Sequence, residues 1–410
     1  MSTWPDSLPP FLWGAATSSH QIEGDAQNDW TRWEDAGHVA RLERSGRSTG
    51  HFANPDPDLD LFSSLGWNAY RLSIEWSRIE PKPGQFSGQA MAEYRHIIEK
   101  MRENGLEPLV TLHHFTLPQW FADQGGFFGP RSASHFLSYT AYVVDHLKDL
   151  VTLWVTVNEP IIYAVMGYSF GTWPPGETHL AKAWRLTNRL VRLHQKAYRL
   201  IKRIDPKAMV GLAHHVVYFA PYQPQSPADR MLCRIIDYLF NWRFIHKVDA
   251  YQDFLGINYY TRQWISASRG LAPIAAKPGA KVTEMGWEIY PQGLHHVLGR
   301  LKSYRKPILI TENGIATNID EERQQYLITH LAAIAAVQQE GVEVRGYFHW
   351  AALDNFEWAE GFKPRFGLVE VNYDTLERTP RKSADLYRTI IELNKENSGR
   401  EPIIVPSTFQ

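Results

Sequence analysis

The chain has 410 residues and a formal net charge of -1, with 43 basic against 44 acidic side chains, so neither nucleic acid nor an anionic membrane is expected as a partner. Hydrophobic residues make up 44% and charged residues 21%, the composition of a globular protein with a sizeable core. The single cysteine, Cys233, excludes an internal disulfide framework and fits a reducing compartment. The first residues carry neither a basic n-region nor an apolar h-region, and no run approaches the ~18 apolar residues of a membrane span, so the expected location is cytoplasmic. Aromatic residues reach 13%, with 15 Trp among them. Most belong in the core, but a share is expected to line a sugar site, where a flat ring matches the apolar face of a carbohydrate.

In chain order, the predicted elements alternate between short apolar runs and longer amphipathic stretches. Strand Leu12–Ala16 comes first, then strand Ala69–Ile74 and a helix over Ala90–Asn104 closed by Gly105. Strand Glu107–Leu112, helix Ala133–Lys148, strand Leu153–Val157 and helix Ala181–Ile204 follow. Strands Met209–Ala213, Phe254–Ile257 and Ile308–Thr311 precede a helix over Glu321–Gln339, with Asp320 as its expected N-cap, and strand Gly346–Trp350 closes the set. No linker or low-complexity segment divides residues 1–410. Repeated strand-then-helix units in one uninterrupted domain indicate an α/β fold, a single-domain (β/α)8 TIM barrel. A doubly wound open sheet would carry a Gly-rich phosphate turn after its first strand; the stretch from Trp13 to Gly24 is not one.

In such a barrel the chemistry gathers at the C-terminal ends of the strands. The predicted ends present Gln21, Arg71, His113-His114, Asn158-Glu159, Asn258-Tyr259-Tyr260, Glu312-Asn313 and Trp350; only the fifth strand adds nothing to the series. Any one of these has a bland reading as loop polarity or a helix cap, but their recurrence at one end of nearly every strand is hard to dismiss. Val155-Thr-Val-Asn-Glu-Pro160 and Ile310-Thr-Glu-Asn-Gly314 each place a glutamate by a β-branched strand, so Glu159 and Glu312 can converge across the barrel mouth. Two facing carboxyls suit glycosidic cleavage, one protonating the leaving oxygen and the other stabilising or capturing the sugar carbon. Taken alone, the pair reads more readily as surface or ion-paired glutamates.

From Phe11 to about Asp385 the sequence resembles glycoside hydrolase family 1, the β-glucosidase and β-galactosidase family. The resemblance is carried by Phe11-Leu-Trp-Gly-Ala-Ala-Thr, Tyr70-Arg-Leu-Ser-Ile-Glu-Trp-Ser-Arg-Ile-Glu-Pro81, Thr156-Val-Asn-Glu-Pro160, Ile310-Thr-Glu-Asn-Gly-Ile315 and Leu353-Asp-Asn-Phe-Glu-Trp358. It implies a retaining, exo-acting β-glycosidase, β-glucosidase foremost with β-galactosidase or β-fucosidase side activity, with Glu159 as acid/base and Glu312 as nucleophile. Gln21, His114, Asn158, Glu357 and Trp358 match positions that hydrogen-bond the sugar, and Trp350 matches the aromatic platform beneath it. Arg71, Asn258 and Tyr260 match groups that hold and tune the nucleophile. Arg71 and the Tyr260 hydroxyl are expected to keep Glu312 ionised, with that charge raising the pKa of Glu159.

Some positions depart from the family pattern. Phe115 replaces a tryptophan of the sugar pocket, which is expected to relax discrimination between glucose, galactose and fucose. His20 replaces a tyrosine and is read as packing. The stretch from Tyr238 to Asp253 is short, which is expected to open the entrance to bulky aglycones. Glu357 would repel a phosphate and argues against a 6-phospho-β-glycosidase. A catalytically silent sugar-binding barrel stays open as the other class. Adjacent histidines such as His113-His114 and His214-His215 point to opposite faces of a strand and make poor joint ligands, so neither a metal nor an organic cofactor is expected. The expected partner is a small β-glycoside or short oligosaccharide.

Overall fold

The structure is a computed structural model describing residues 4–397 and 401–405. Eight parallel strands close into a barrel in sequential order: β1 (Leu12–Ala16), β2 (Ala69–Ser73), β3 (Glu107–Thr111), β4 (Leu153–Asn158), β5 (Met209–Pro221), β6 (Leu255–Ile265), β7 (Ile308–Asn313) and β8 (Val344–Trp350), with β8 pairing back onto β1. A parallel neighbour requires a crossover, and the helices supply it along the outside of the ring. The (β/α)8 expectation therefore holds.

Within the closed ring each strand is buried on both faces, and its alternate residues divide between two cores. Leu12, Ala16, Ala69, Leu109, Leu153, Val155, Met209, Leu309 and Phe348 fill the barrel interior. Trp13, Ala15, Tyr70, Val110, Trp154, Val210 and Tyr347 point outward into the layer beneath the helices. The helices Gly88–Glu103, Ser132–Leu147, Leu180–Ile204 and Asp320–Gln339 stand within one or two residues of their predicted bounds. Gly105 adopts φ +72 just past the first of these, the left-handed exit for which glycine is suited.

Three expectations need correction. Asp320 is the first residue of its helix, preceded by Ile319 at the cap position; its carboxylate instead accepts from Arg323 Nη1 at 2.8 Å and from the Ser383 hydroxyl at 2.7 Å. Strands β5 and β6 run well past their predicted ends because they continue to pair with each other, up to Pro221 and Ile265, beyond the point where the ring closes. That extension puts His215 inside β5. Glu312 likewise lies within β7 and not beyond it.

Other loops at the rim are tied down by buried Glu75, which follows β2. Its carboxylate accepts from the hydroxyls of Ser77 at 2.7 Å, Thr116 at 2.8 Å and Ser19 at 3.1 Å, joining the segments after β1, β2 and β3. Among the described residues, no helix is long and apolar enough to cross a membrane.

Candidate active site

The segment Val157-Asn-Glu-Pro160 shows how the barrel aims a side chain. Asn158 ends β4, Pro160 begins a helix that runs to Val165, and Glu159 between them takes φ 41 and ψ 59. Proline suits the first helical position because its missing N–H would have no partner there. The left-handed backbone at Glu159 is a strained arrangement that the surroundings must hold, at a cost of order 1–3 kcal/mol. The Glu159 N–H donates to Ala213 O at 2.8 Å, anchoring the turn to β5. Phe115 and Trp358 also carry positive φ, and their rings lie 5.3 Å apart beside the site.

On the opposite side, Glu312 is 4% exposed. Arg71 Nη1 donates to its Oε1 at 2.5 Å and the Tyr260 hydroxyl to its Oε2 at 2.6 Å. Gly314 follows two residues on because the β8 backbone leaves no room: a Cβ there would meet Trp350 O at 1.7 Å. Burial pushes the Glu312 carboxyl up, to about 7; Arg71 and the Tyr260 bond pull against that shift, and the Glu159 charge adds to it. Arg71 and the Tyr260 hydroxyl act in the expected direction, favouring the ionised form, while removal from water opposes them. Tyr260 itself is raised well above its ordinary value, by burial first and then by the two glutamates, so its hydroxyl stays a donor.

Asn258 also departs from expectation. Its Nδ2 donates to Glu159 Oε1 at 2.8 Å and to Asn158 Oδ1 at 3.2 Å, while its Oδ1 accepts from the Thr311 hydroxyl at 2.6 Å. Asn258 therefore holds the other glutamate. Asn158 Oδ1 accepts from Arg71 Nη2 at 2.7 Å, which fixes its amide so that Nδ2 donates to His114 Nε2 at 3.1 Å. His114 must then carry its proton on Nδ1, a buried atom with no partner among the described residues. Burial, then the Arg71 charge, push the His114 pKa well down, so the ring is neutral.

The remaining predicted residues join the same cluster. Gln21 is fixed by the Ser18 hydroxyl at its Oε1 (2.7 Å), and its Nε2 reaches Glu357 Oε2 at 3.1 Å and Phe356 O at 2.8 Å. Desolvation, then the Glu312 charge, raise Glu357 to about 8, against the Gln21 bond. The His114 ring stacks between Trp350 at 6.0 Å and Trp358 at 6.1 Å. His20 is buried, bonded to Glu34 at 2.8 Å and stacked on Trp358 at 5.6 Å, which agrees with packing.

Two residues escaped the sequence reading. His215 Nδ1 lies 2.8 Å from Glu159 Oε1. Its neighbour His214 turns to the other face and bonds Gln252 at 3.1 Å, as strand alternation requires. Trp287, half-buried in the segment after β6, lies 5.2 Å from the Tyr260 ring. A β5 read two residues longer would have taken in His215; no local pattern marks Trp287.

Known proteins resemble the chain closely. The family model for Glycosyl hydrolase family 1 matches residues 4–249 and 244–396. Beta-galactosidase of Pyrococcus woesei is 30% identical over 94% of this chain and 96% of its own, and Beta-glucosidase A of Thermotoga maritima is 30% identical over 94% and 97%. Galactolipid galactosyltransferase of Arabidopsis thaliana is 35% identical over 84% of this chain and 58% of its own. Among solved structures, a beta-glycosidase from Pyrococcus horikoshii superposes with a TM-score of 0.88 at 38% identity, covering 99% of both chains. The Thermotoga maritima beta-glucosidase in complex with glucoimidazole gives 0.89 at 28% identity, over 96% and 99%.

Proposed function

The chain belongs to glycosyl hydrolase family 1, and on that premise we propose that it is a retaining, exo-acting β-glycosidase, a β-glucosidase with β-galactosidase or β-fucosidase side activity. The observation that carries this reading is the pair Glu159 and Glu312, buried together and each held by different donors. Gln21, His114, Asn158, Glu357 and Trp358 would take the hydroxyls of the terminal sugar, over the Trp350 ring. Half-buried Trp287 and the short Tyr238–Asp253 stretch would shape the outer, aglycone side.

In the first half-reaction Glu312 attacks the anomeric carbon. The C–O bond to the leaving group breaks with its electron pair on oxygen, and Glu159 gives that oxygen its proton. In the second, water attacks the same carbon, Glu159 takes the water proton, and the bond to Glu312 breaks. Arg71 and Tyr260 stabilise the carboxylate that departs. Forming the ester removes the Glu312 charge, so the Glu159 carboxylate left after proton transfer no longer faces a second anion while it awaits the water.

The test is chemical rescue. Glu312→Gly with azide and an activated aryl β-glucoside should yield the α-glucosyl azide, with inverted configuration. Full hydrolytic activity in the Glu312→Gln protein would reject the assignment.

A further inference from the structure

We propose that His215 is a positioning residue for the acid/base glutamate: with Asn258 it fixes Glu159 Oε1 as a hydrogen-bond acceptor and leaves Oε2 to carry the catalytic proton. The inference rests on the retaining reading above and adds to it a residue and an oxygen assignment.

Two nitrogens converge on one oxygen. Asn258 Nδ2 and His215 Nδ1 each lie 2.8 Å from Glu159 Oε1. The Asn258 amide is oriented by Thr311 at its Oδ1, so Nδ2 can only donate. Oε1 is therefore already an acceptor when the imidazole meets it, and the favourable partner is an Nδ1–H. An oxygen that receives two N–H donors is the less basic of a carboxyl pair, because both bonds stabilise negative charge on it. The dissociable proton goes to Oε2. From there it passes to the glycosidic oxygen as the C–O bond breaks, and Oε2 takes a proton back from water in the second half-reaction. The His215 proton stays on Nδ1 throughout.

The fold holds this arrangement rigidly. His215 on β5 is in register with Asn258 on β6, and Asn258 with Glu312 on β7, so three site residues occupy one row of the barrel. The His215 ring stacks on Tyr260 at 5.9 Å with an interplanar angle of 24°, and meets the edge of Phe240 at 6.2 Å. The charged groups acting on it are Glu159, from the end of β4, and Glu312, from β7; the Tyr260 hydroxyl on β6 stays protonated. Burial alone would lower the His215 pKa, but the Glu159 charge and bond, and then the Glu312 charge, outweigh it and hold the ring above its ordinary value.

The experiment uses two variants. His215→Phe removes the donor and keeps a ring on Tyr260, and His215→Asn restores a short N–H donor. An alkyl β-glucoside needs its leaving oxygen protonated; a 2,4-dinitrophenyl β-glucoside does not. His215→Phe should lower kcat/KM on the alkyl glucoside by about tenfold or more, within the range of general-acid effects, and change the dinitrophenyl value by about twofold or less. His215→Asn should recover most of the loss. Equal losses on both substrates, or no loss on either, overturn the proposal. A second arm needs no activity: the ring 15N titration of His215 should move to lower pH in Glu159→Gln, and an unmoved midpoint overturns the contact. If the unaltered enzyme cleaved neither glucoside, the retaining reading would fail, while the titration would still decide whether His215 serves Glu159.

Discussion

Two glutamates face one another in this barrel, and the donors around them are arranged differently. Glu312 receives one donor on each oxygen, a guanidinium on Oε1 and a phenol on Oε2. Glu159 receives both of its donors, His215 and Asn258, on Oε1 alone. A carboxylate bonded on both oxygens is stabilised as an anion and as a departing group. One bonded on a single oxygen keeps the other free to exchange a proton with something outside the protein. In the proposed roles the same side chain is given two tasks by where its hydrogen bonds land, the general pattern of paired carboxyls set apart by their surroundings.

The largest expected effect breaks the Glu159 half. Glu159→Gln should cut kcat/KM on alkyl or phenyl glucosides by about 10²–10⁴-fold, the span of general acid catalysis, while sparing the first step for dinitrophenyl leaving groups. A uniform loss across leaving groups would mean that Glu159 supports structure and not proton transfer. Arg71→Met breaks the other half. Its guanidinium is the main opponent of the burial that already lifts Glu312 to about 7, so its removal should carry that carboxyl higher. Glu312 must be ionised to act as the proposed nucleophile, so the acidic limb of the kcat/KM profile should move to higher pH, with activity newly lost from about pH 7 upward. An acidic limb that stays where it was would show that Arg71 does not govern Glu312.

How much of this contrast the sequence displayed depends on the strand. β1 stands at its predicted bounds, and β4 and β7 differ only at their C-terminal ends, because a barrel strand buried on both faces is written as an uninterrupted apolar run. Their chemical ends were therefore legible, and Glu159, Glu312, Asn158 and Gln21 enter one cluster with Arg71 from the middle of β2. β5 was not. Past Ala213 half-buried residues (His215, Tyr218 and Pro221) interrupt the buried run as it leaves the ring and pairs only with β6, and His214-His215 in that stretch reads as a metal question before it reads as a strand. The partner of Asn258 was hidden for a related reason. Register places it opposite Glu312, yet its amide turns to Glu159 because Thr311 occupies its carbonyl side. Sequence records which residues a row contains and not which neighbour each amide chooses.

Phe115 tests whether the contrast extends to the sugar pocket. Its ring packs 4.8 Å from Trp173 and 5.3 Å from Trp358, an apolar contact with no hydrogen bond to offer. Phe115→Trp would add an N–H donor at the edge of the proposed glycone site. The ratio of kcat/KM for p-nitrophenyl β-glucoside over the β-galactoside should change by about tenfold, the scale of discrimination one pocket contact gives. An unchanged ratio would remove Phe115 as the source of relaxed selectivity.

The smallest effect concerns Glu357, a third carboxyl in the field of the other two. Its pKa is raised to about 8 from an ordinary 4.5, by desolvation first and by the Glu312 charge next. Between those two values the folded protein binds more protons at this site than the unfolded chain does. The slope of stability with pH is proportional to the unfolded minus the folded proton count, so it is negative there, and stability falls as pH rises from about 4.5 to about 8. Glu357→Gln removes this contribution while keeping an acceptor for Gln21. The variant should melt above the unaltered protein at pH 8, by about 1–3 °C for a domain of this size, and converge with it near pH 4. A variant that melts lower at both pH values would mean that Glu357 is ionised at little cost. In that case the three carboxyls would not share one field, and Glu312 and Glu159 would owe their different roles to their hydrogen bonds alone.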